Sequence, residues 1–303
     1  VQLSPDTRAG NWDACSGYHY NDTTLKGFSH THLSGTGCID LGDILFRPTT
    51  LKPDLTTENI YQPAAFSHKD EDASAGYYSV VLKEEGIKAE LTVTAHAGMH
   101  RYTFPSGKEA SIIIDLTHLL DNEYIYEAEL EQTAANEIIG MRRTRGWTDN
   151  QYVYFVAQFS KPFQAIDFIQ NKKMVSAGVK LIGTDLQACL SFDNSNGEPV
   201  IAKVGLSIVS EKNARENLET EVIGFDFDAV RSAARSAWEQ ALSAITVEGG
   251  NTDDLKNFYT AMYHSMVVPN VVSDVNGEYR RHNMEVGQLP KGKVQYSTFS
   301  LWD

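Results

Sequence analysis

The sequence predicts a mainly β protein that becomes helical towards its C-terminal end. From Tyr77 to about Ser210, short runs of β-branched and aromatic residues alternate with Gly, Asn, Asp and Pro, which is typical of antiparallel sheets. Beyond Asp228 the apolar residues recur at a helical period instead. We therefore expect an antiparallel β-sandwich followed by helices.

The clearest predicted strand runs from Ile87 to Ala95. Every second residue from Ile87 is apolar and the intervening residues are Lys, Glu and Thr, so the pattern predicts one core face and one solvent-exposed face. Many short strands of this kind indicate a sandwich. Seven further runs have a similar composition: Ser79–Lys83, Ser111–Leu116, Glu137–Arg143, Tyr152–Ser160, Val179–Ile182, Leu186–Phe192 and Lys203–Ser210.

Two helices are predicted after the β region, near 228–245 and 253–267. Asp228 is the expected N-cap of the first, and Thr252, after the Gly249-Gly250 break, is the expected N-cap of the second. Pro269 ends the second helix. We accordingly divide the chain into a β-sandwich domain at 1–225, a helical linker at 226–250 and a further helical segment at 251–303.

Composition narrows the possible partners. The net charge is −14, which disfavours binding to nucleic acid or to an anionic membrane surface. No apolar run approaches the roughly 20 residues that span a bilayer.

The chain has 3 cysteines and no C-x-x-C spacing, so we expect each cysteine to act as a small apolar filler.

His30 and His32 lie in the segment that is richest in reactive side chains. On a strand they share a face and offer two metal ligands, but no third ligand is evident nearby, so hydrogen-bonded structural histidines are the preferred interpretation. The adjacent Gly35-Thr36-Gly37 lacks the rest of a dinucleotide-binding motif and is read as a tight turn. The absence of G-x-S-x-G argues against a serine hydrolase.

Two Trp-Asp pairs, Trp12-Asp13 and Trp302-Asp303, are candidate sugar contacts. An aromatic face packs against the C–H surface of a sugar, and a carboxylate accepts hydrogen bonds from its hydroxyls. The alternative is a buried tryptophan beside an aspartate that caps a turn. The dipeptides by themselves leave both interpretations open.

Longer consecutive motifs resemble glycoside hydrolase family 92 across nearly the whole chain. They occur in order at Val1–Thr7, Trp12–Tyr18, Gly27–Gly35, Gly76–Ser79, Ile87–Thr92, His100–Pro105, Tyr152–Phe155 and Ser297–Asp303. The resemblance implies an N-terminal β-sandwich, linker helices and a C-terminal (α/α)6 barrel. The segment at 251–303 is then expected to hold the first helices of that barrel.

The resemblance also implies an exo-acting α-mannosidase that removes terminal mannose, from α-1,2 or related linkages, with inversion. The family uses a Glu acid, an Asp base and a calcium ion, and all their positions lie beyond the one matching Asp303. We therefore assign no catalytic or metal-ligating residue to this chain, and we expect the isolated chain to be an inactive fragment.

The same resemblance assigns binding roles to several residues. It implies that Trp302 and Asp303 line the terminal mannose subsite and that Trp12 reaches towards the leaving sugar. It further implies that Asp13, His30 and His32 support the loop of Trp12.

The resemblance implies two partners, mannose-containing glycans and the protein's own C-terminal catalytic domain. It also implies that the protein acts in the periplasm or outside the cell. A non-catalytic carbohydrate-binding sandwich is the alternative, and the residues after Asp303 would distinguish the two. A structural sandwich without a ligand would instead bury the rings of Trp12 and Trp302.

Overall fold

The structure is a computed structural model that describes residues 1–8, 13, 15–33, 39–57, 59–120, 124–175, 178 and 180–297. Its helices are α1 (Glu211–Glu221), α2 (Phe227–Leu242) and α3 (Thr252–Ser265). Its strands are β1 (Ser4–Asp6), β2 (Thr24–Leu25), β3 (Gly27–Ser29), β4 (Leu45–Thr49), β5 (Ala64–Ala65), β6 (Glu71–Ser74), β7 (Tyr77–Leu82), β8 (Ile87–Val93), β9 (Ala97–Thr103), β10 (Ala110–Asp115), β11 (Tyr124–Ala134), β12 (Glu137–Arg145), β13 (Gln151–Phe159), β14 (Phe163–Gln170), β15 (Lys173–Val175), β16 (Leu181–Gly183), β17 (Leu186–Phe192), β18 (Val200–Ser207), β19 (Glu278–Arg280) and β20 (Val286–Gln288).

Most strands belong to two antiparallel sheets. The seven-stranded sheet has the order β1-β3-β4-β10-β17-β14-β15, and the nine-stranded sheet has the order β16-β11-β12-β13-β18-β9-β8-β7-β6. Two small antiparallel pairs, β2 with β5 and β19 with β20, lie outside them. The three helices follow the last strand of the sandwich. The prediction of a mainly β, antiparallel architecture with helices at the C-terminal end is confirmed.

The core lies between the facing sides of the two large sheets. Phe46 of the seven-stranded sheet stacks on Phe159 of the nine-stranded sheet with ring centroids 6.2 Å apart, and Phe192 packs against Phe159 at 5.4 Å. All three rings are buried. Fully burying one such side chain stabilises the fold by about 1.5–3 kcal/mol, so this aromatic contact helps to fix the packing of one sheet on the other.

The prediction for the strand from Ile87 was only half right. Ile87, Ala89 and Leu91 are buried and Lys88 is exposed, as expected, but Glu90 and Thr92 on the face of Lys88 retain only 4% and 1% of their accessible surface. Helix α2 packs on β7, β8 and β9 and covers this face. A sheet covered on both faces loses the simple apolar-polar alternation.

Helix α1 was not predicted, and it lies within the stretch expected to be β. Ser210, placed at the end of a predicted strand, is its N-cap, and the Ser210 hydroxyl accepts a hydrogen bond from the amide of Asn213. The helix rests on β18 at Gly205, where a Cβ would lie 2.4 Å from the carbonyl oxygen of Ala214. The missing side chain of this glycine allows the close approach.

Helices α2 and α3 match the predicted positions, but their N-caps are each shifted. The caps are Asp226, which accepts from the amide of Ala229, and Asn251, which forms a capping box with Asp254. The predicted caps, Asp228 and Thr252, lie inside the helices. A cap is set by the first residue whose side chain reaches the free amides, and in both helices an earlier residue does so.

Candidate functional site

The residues singled out from the sequence fall into two groups. Asp13 is exposed on the first loop, and His30 and His32 are buried just after β3. The structure therefore describes the surroundings of these three residues. The remaining candidates lie outside the described residues: Trp12, Trp302 and Asp303.

His32 lies between acceptor oxygens inside the sandwich. Its Nδ1 is 2.6 Å from the carbonyl oxygen of Gln2, and its Nε2 is 2.6 Å from Oδ1 of Asp6. The Ser29 hydroxyl lies 3.0 Å from the same Nε2, and Nε2 of His118 lies 2.8 Å from the other oxygen of Asp6. Asp6, Ser29, His32 and His118 are called the Asp6 cluster below.

The contacts determine the charges within the Asp6 cluster. A carbonyl and a carboxylate can only accept, so both ring nitrogens of His32 carry protons. Burial of the ring opposes this charge, but the carboxylate of Asp6 raises the pKa of His32. Burial also opposes ionisation of Asp6, yet the nearby histidines hold its pKa far below the usual value. The cluster is therefore a buried imidazolium–carboxylate pair with a second histidine as donor.

The Asp6 cluster lies where the chain at Thr7 meets the chain at Gly17, on either side of Trp12 in sequence. The amide of Thr7 donates to the carbonyl oxygen of Gly17 at 2.8 Å, which closes the base of the loop. A Cβ at Gly17 would lie 2.2 Å from Oδ1 of Asp6 and 2.8 Å from Nε2 of His32, and the φ of Gly17 is +86°. Only glycine satisfies both conditions.

Asp13 contacts the base of the same loop at the surface. The guanidinium of Arg8 lies 3.5 Å from the Asp13 carboxylate and also pairs with Asp22. The side chain of Asp13 is 62% exposed. Exposed pairs of this kind contribute only about 0–1 kcal/mol, so the buried contacts of Gly17 are the stronger anchor.

His30 belongs to a separate chain of neutral groups. Its Nδ1 donates to the carbonyl oxygen of Ile44 at 2.6 Å, which leaves Nε2 to accept from Nε2 of His100 at 2.9 Å. Nδ1 of His100 then accepts from the hydroxyl of Tyr102 at 2.8 Å. Burial lowers the pKa of His30 to about 4 and that of His100 well below its usual value. Both histidines are neutral core residues.

The histidines offer no open position to a metal ion, since every ring nitrogen of His30 and His32 lies within hydrogen-bond distance of a protein atom. Among the residues described, no group of three or more His, Cys, Asp or Glu side chains is arranged to hold an ion. Calcium takes about six to eight oxygen ligands, and these residues do not supply such a set.

A second buried ion pair stabilises the chain around His32. Nε of Arg142 donates to Oδ1 of Asp43 at 2.8 Å, and both side chains are 1% exposed. The hydroxyl of Thr31 donates to the other oxygen of Asp43 at 2.7 Å. Arg142 also donates to the carbonyl oxygen of His118. Strand β12 is thereby connected to the Asp6 cluster.

The C-terminal part of the described chain reaches the same region. The amide of Ser297 donates to the carbonyl oxygen of Asn270 at 2.7 Å. The side-chain oxygen of Asn270 accepts from Nε2 of Gln2 at 3.3 Å, and the carbonyl of Gln2 is the acceptor for His32. A continuous path of contacts therefore leads from Ser297 to the Asp6 cluster.

A buried carboxylate secures the segment after α3 to the sandwich. Asp274 accepts hydrogen bonds from the Ser207 hydroxyl at 2.7 Å, the Asn213 amide at 2.8 Å and the Asn217 amide at 2.7 Å. Arg280 adds two hydrogen bonds to the carbonyls that follow β18. Because buried polar groups are costly unless paired, this full set of partners specifies one docking arrangement.

Family comparisons divide the chain at this junction. The glycosyl hydrolase family 92 N-terminal domain matches residues 1–207, and the glycosyl hydrolase family 92 catalytic domain matches residues 213–303. The chain belongs to glycosyl hydrolase family 92. The hydrogen bond between Ser207 and Asp274 therefore joins residues from the two matched family 92 domains.

Several relatives support the family 92 assignment. A family GH92 α-mannosidase of Bacteroides thetaiotaomicron superposes with a TM-score of 0.93 and 37% identity, covering 100% of this chain and 42% of that one. Another family GH92 glycosyl hydrolase superposes with a TM-score of 0.86 and 26% identity, covering 99% of this chain and 42% of that one. An uncharacterized secreted glycosidase of Arthroderma benhamiae is 29% identical over 86% of this chain and 37% of its own length. The chain thus spans about two fifths of the length of these family 92 relatives.

Within the described residues, no helix is long and apolar enough to cross a membrane.

Cys189, one of the cysteines expected to fill apolar space, is buried in the sandwich, and burial raises the pKa of its thiol to about 12. Cys15 is a half-buried free thiol, and Cys38 lies outside the described residues.

Sequence reasoning singled out His32 but missed the residues that hold it. Asp6 and Gly17 lie within motifs quoted for the family resemblance, yet nothing in their local pattern indicates a shared cluster. His118 is 112 residues from Asp6, so no spacing rule connects them. The glycine inside the Trp12–Tyr18 motif was the one available signal, because glycine marks positions of close approach or positive φ.

Proposed function

We propose that the full-length protein is an exo-acting α-mannosidase that hydrolyses terminal α-linked mannose from glycans with inversion. The observation that carries this proposal is the 37% identity, over 100% of this chain, to the α-mannosidase of Bacteroides thetaiotaomicron. That enzyme has also been solved in complex with mannoimidazole. The activity is assigned to the longer protein, because this chain covers 42% of the relative.

This chain is proposed to contribute two walls of the sugar site. The carboxylate of Asp303 accepts hydrogen bonds from hydroxyls of the terminal mannose, and the ring of Trp302 forms an apolar wall beside it. Trp12 forms the second wall, facing the leaving sugar. All three roles rest on the family motifs that contain these residues.

The contacts of the described residues support placing the two walls close together. Ser297 precedes Trp302 by a few residues and is connected through Asn270 and Gln2 to His32. The other end of this path approaches Gly17, where the loop of Trp12 closes. Both proposed walls therefore begin from one connected set of contacts.

The catalytic acid, the catalytic base and the calcium ligands are assigned to residues after Asp303. An inverting glycosidase separates its two carboxyl groups by about 6.5–9.5 Å, so that a water molecule fits between sugar and base. Since the described residues offer no calcium site, nothing in this part of the chain is assigned to metal binding. In the full-length enzyme, calcium would act as a hard ion that contacts sugar hydroxyls.

The proposed location is the periplasm or the outside of the cell. It is supported by the likeness to the secreted glycosidase of Arthroderma benhamiae, at 29% identity over 86% of this chain. Glycans that carry terminal α-mannose are available to an enzyme in that location.

Replacing Asp303 by Ala in the full-length enzyme tests the sugar-binding role. A hydrogen bond that involves a charged partner contributes about 1.5–3 kcal/mol, so kcat/KM for an α-mannobiose should fall by roughly 10- to 150-fold. The melting temperature should stay near that of the wild type. Both quantities are measured on the same preparation.

Asp254→Ala provides the matched control, because Asp254 forms a helix capping box with Asn251. Losing one hydrogen bond of the capping box costs about 0.5–1.5 kcal/mol of stability, so this control should melt earlier and keep its activity. If Asp303→Ala behaves like Asp254→Ala, Asp303 is a structural cap and its assignment to the mannose subsite is wrong.

A further inference from the structure

We propose that an exposed row of tyrosine and arginine side chains on the nine-stranded sheet binds further hexose units of the glycan, beyond the two at the cleaved bond. The row consists of Tyr124 and Tyr126 of β11, Arg143 of β12 and Tyr152 of β13, and is called the tyrosine row below. None of these residues belongs to the two proposed walls. The inference rests on the proposed function, which supplies the mannose-containing glycan as the bound sugar.

A β-bulge turns the two tyrosines of β11 out of the sandwich. Ala128 and Leu130 of this strand are buried in the core, so an unbroken alternation would place Tyr124 and Tyr126 on the same inward side. The register with β12 instead skips Tyr126, and Ile125 packs against the core in place of its neighbours. The two tyrosines are consequently 60% and 38% exposed. Exposing two rings forgoes the stabilisation of burying them, and bulges commonly redirect side chains towards functional surfaces.

Ring and guanidinium contacts join the row into one surface. The rings of Tyr124 and Tyr126 meet edge to face with centroids 5.1 Å apart. Cζ of Arg143 lies 4.9 Å from the ring centroid of Tyr126 and 5.5 Å from that of Tyr152. Arg280, from the segment that matches the family 92 catalytic domain, lies over Tyr152 at 4.6 Å. The tyrosine row therefore extends from the edge of the sandwich towards the segment that leads to the proposed sugar subsite.

Arg143 is held in place and keeps donors available. Its Nε and Nη2 lie 3.0 Å and 2.6 Å from Oδ1 of Asn150. Asn150 lies in the turn after β12, which Asp40 fixes by accepting from the amide of Trp147 at 3.2 Å and from Nε2 of Gln151 at 2.9 Å. Among the described residues, Nη1 of Arg143 donates to no protein atom. A fixed guanidinium with free N–H groups is a preorganised donor for a hydroxyl.

This combination of side chains suits a neutral sugar chain. Tyrosine ring faces pack against the C–H surface of a hexose, while their hydroxyls and the guanidinium bond to its hydroxyls. The net charge of −14 disfavours a nucleic acid. Tyr and Arg also occur in protein interfaces, but charged residues are depleted at the centre of such interfaces. Glu127 and Glu129 lie beside the row on the outward face of β11, and carboxylates of this kind accept hydrogen bonds from sugar hydroxyls.

Hydroxyl-radical footprinting of the full-length protein tests whether the row is open and binds sugar. The probe is an α-linked mannohexaose, added immediately before the radical pulse, and oxidation of Tyr124 and Tyr126 is read by mass spectrometry. Oxidation of both rings should fall at least about 3-fold with the probe, because a bound sugar covers the ring faces. Tyr20, which is 66% exposed on the turn before β2, is the matched control and should not change.

Two footprinting results would overturn the proposal. One is full protection of Tyr124 and Tyr126 without the probe, which would mean that the rest of the protein or a second copy covers the row. The other is oxidation that stays unchanged when the mannohexaose is added.

Initial rates of the full-length variants measure what the row contributes to the reaction. The double variant Tyr124→Ala/Tyr126→Ala should raise KM for the mannohexaose by about 10-fold with kcat nearly unchanged, since it removes binding that does not depend on the transition state. Its kcat/KM for an α-mannobiose should stay within about 2-fold of wild type, because the two walls suffice for a disaccharide. Arg143→Lys should raise KM for the mannohexaose by about 3-fold, because lysine keeps the charge and loses the planar fork.

Tyr20→Ala is the control and should leave both substrates unchanged. An equal loss on the disaccharide and the mannohexaose in the double variant would mean that the row serves the fold, and would overturn the proposal. If the wild type releases no mannose from either substrate, the proposed function fails, while footprinting with the mannohexaose still decides whether the tyrosine row binds sugar.

Discussion

At the scale of single residues, the sandwich contains one charged and one neutral buried histidine within a short stretch of chain, His32 and His30. His32 faces acceptors on both ring nitrogens and is held as an imidazolium by Asp6. His30 has one acceptor and one donor as neighbours and is neutral, as is its partner His100. The difference follows from hydrogen-bond partners and not from burial, since all three rings are buried.

The neutral histidines predict that the fold loses stability in mild acid. The pKa of His30 is about 4 in the folded chain and about 6.5 when unfolded. Between these values the unfolded chain binds more protons, so stability falls as pH falls through this window, by roughly 3 kcal/mol for a group like His30. Urea unfolding of the full-length protein at pH 7 and pH 5 covers the upper part of this window, in which a group like His30 contributes about 2 kcal/mol.

His32 contributes with the opposite sign, because its pKa is raised. Its stabilisation is fully present below about pH 6.5 and is lost only as pH rises through the folded pKa. Below about pH 6.5 this stabilisation is constant, so it does not offset the acid-induced loss there. A free energy of unfolding at pH 5 equal to or above the value at pH 7 would contradict the assignment of His30 and His100 as neutral.

Part of this residue-level picture could be read from the sequence. The His30 and His32 motif favoured structural histidines over a metal site, since a third ligand was lacking. The identity of their partners could not be read, because Asp6, His100 and His118 come from strands and loops far apart in the chain. Hydrogen-bond partners depend on topology, which no local spacing encodes.

At the scale of elements, hydrophobic periodicity predicted the strands whose apolar residues face one core, but it did not predict a helix that is held mainly by polar contacts. The runs that became β12, β13 and β17 were found within one or two residues, since their apolar residues face one core. Helix α1 was missed because half of its buried positions are polar, namely Asn213 and Asn217. These amides bond to Asp274, so the helix is held by hydrogen bonds that leave no apolar stripe in the sequence.

Helix α1 also depends on a charged pair at its C-terminal end. His96 donates through Nδ1 to Glu221 at 2.5 Å and through Nε2 to the carbonyl of Ser273 at 2.8 Å. Burial of the ring opposes the charge, but the hydrogen bond to Glu221 raises the pKa of His96. Burial of Glu221 is likewise outweighed by its hydrogen bonds, which lower the pKa of this carboxyl. This pair therefore fastens α1 to the segment after α3.

We expect Glu221→Gln to destabilise the protein in a pH-dependent way. The contribution of His96 to stability is fully present below about pH 6.5 and is lost as pH rises through the pKa of His96 in the folded protein. The contribution of Glu221 is fully present above about pH 4.5 and is lost as pH falls through the pKa of Glu221 in the folded protein. The loss should therefore be largest between about pH 4.5 and 6.5, at about 1–3 kcal/mol, and smaller at pH 9.

Melting temperatures at pH 5.5 and pH 9 measure this effect in wild type and variant. Glu219→Gln is the control on the same helix, since its carboxylate is 59% exposed and lies 4.0 Å from Arg215; it should change little at either pH. A destabilisation by Glu221→Gln that is equal at both pH values would show that the carboxylate acts without a charged His96.

At the scale of the whole molecule, the two matched family 92 domains are joined by buried and partly buried polar contacts. Asp274, His96 and Gln2 each join the segment after α3 to the sandwich. Buried hydrogen bonds of this kind specify orientation more than they add stability. The sandwich therefore acts as a fixed support for the chain that leads to the proposed sugar subsite.

The most direct test of this account is to follow an α-mannobiose by proton NMR with the full-length enzyme and, separately, with the purified chain of residues 1–303. We expect the full-length enzyme to release mannose that appears first as the β-anomer, with activity lost on calcium chelation and restored by added calcium. The chain of 303 residues should release none, because a proposed acid and base after Asp303 are needed to stabilise the transition state. Sugar binding without mannose release by the full-length protein, or mannose release by residues 1–303 alone, would contradict the account.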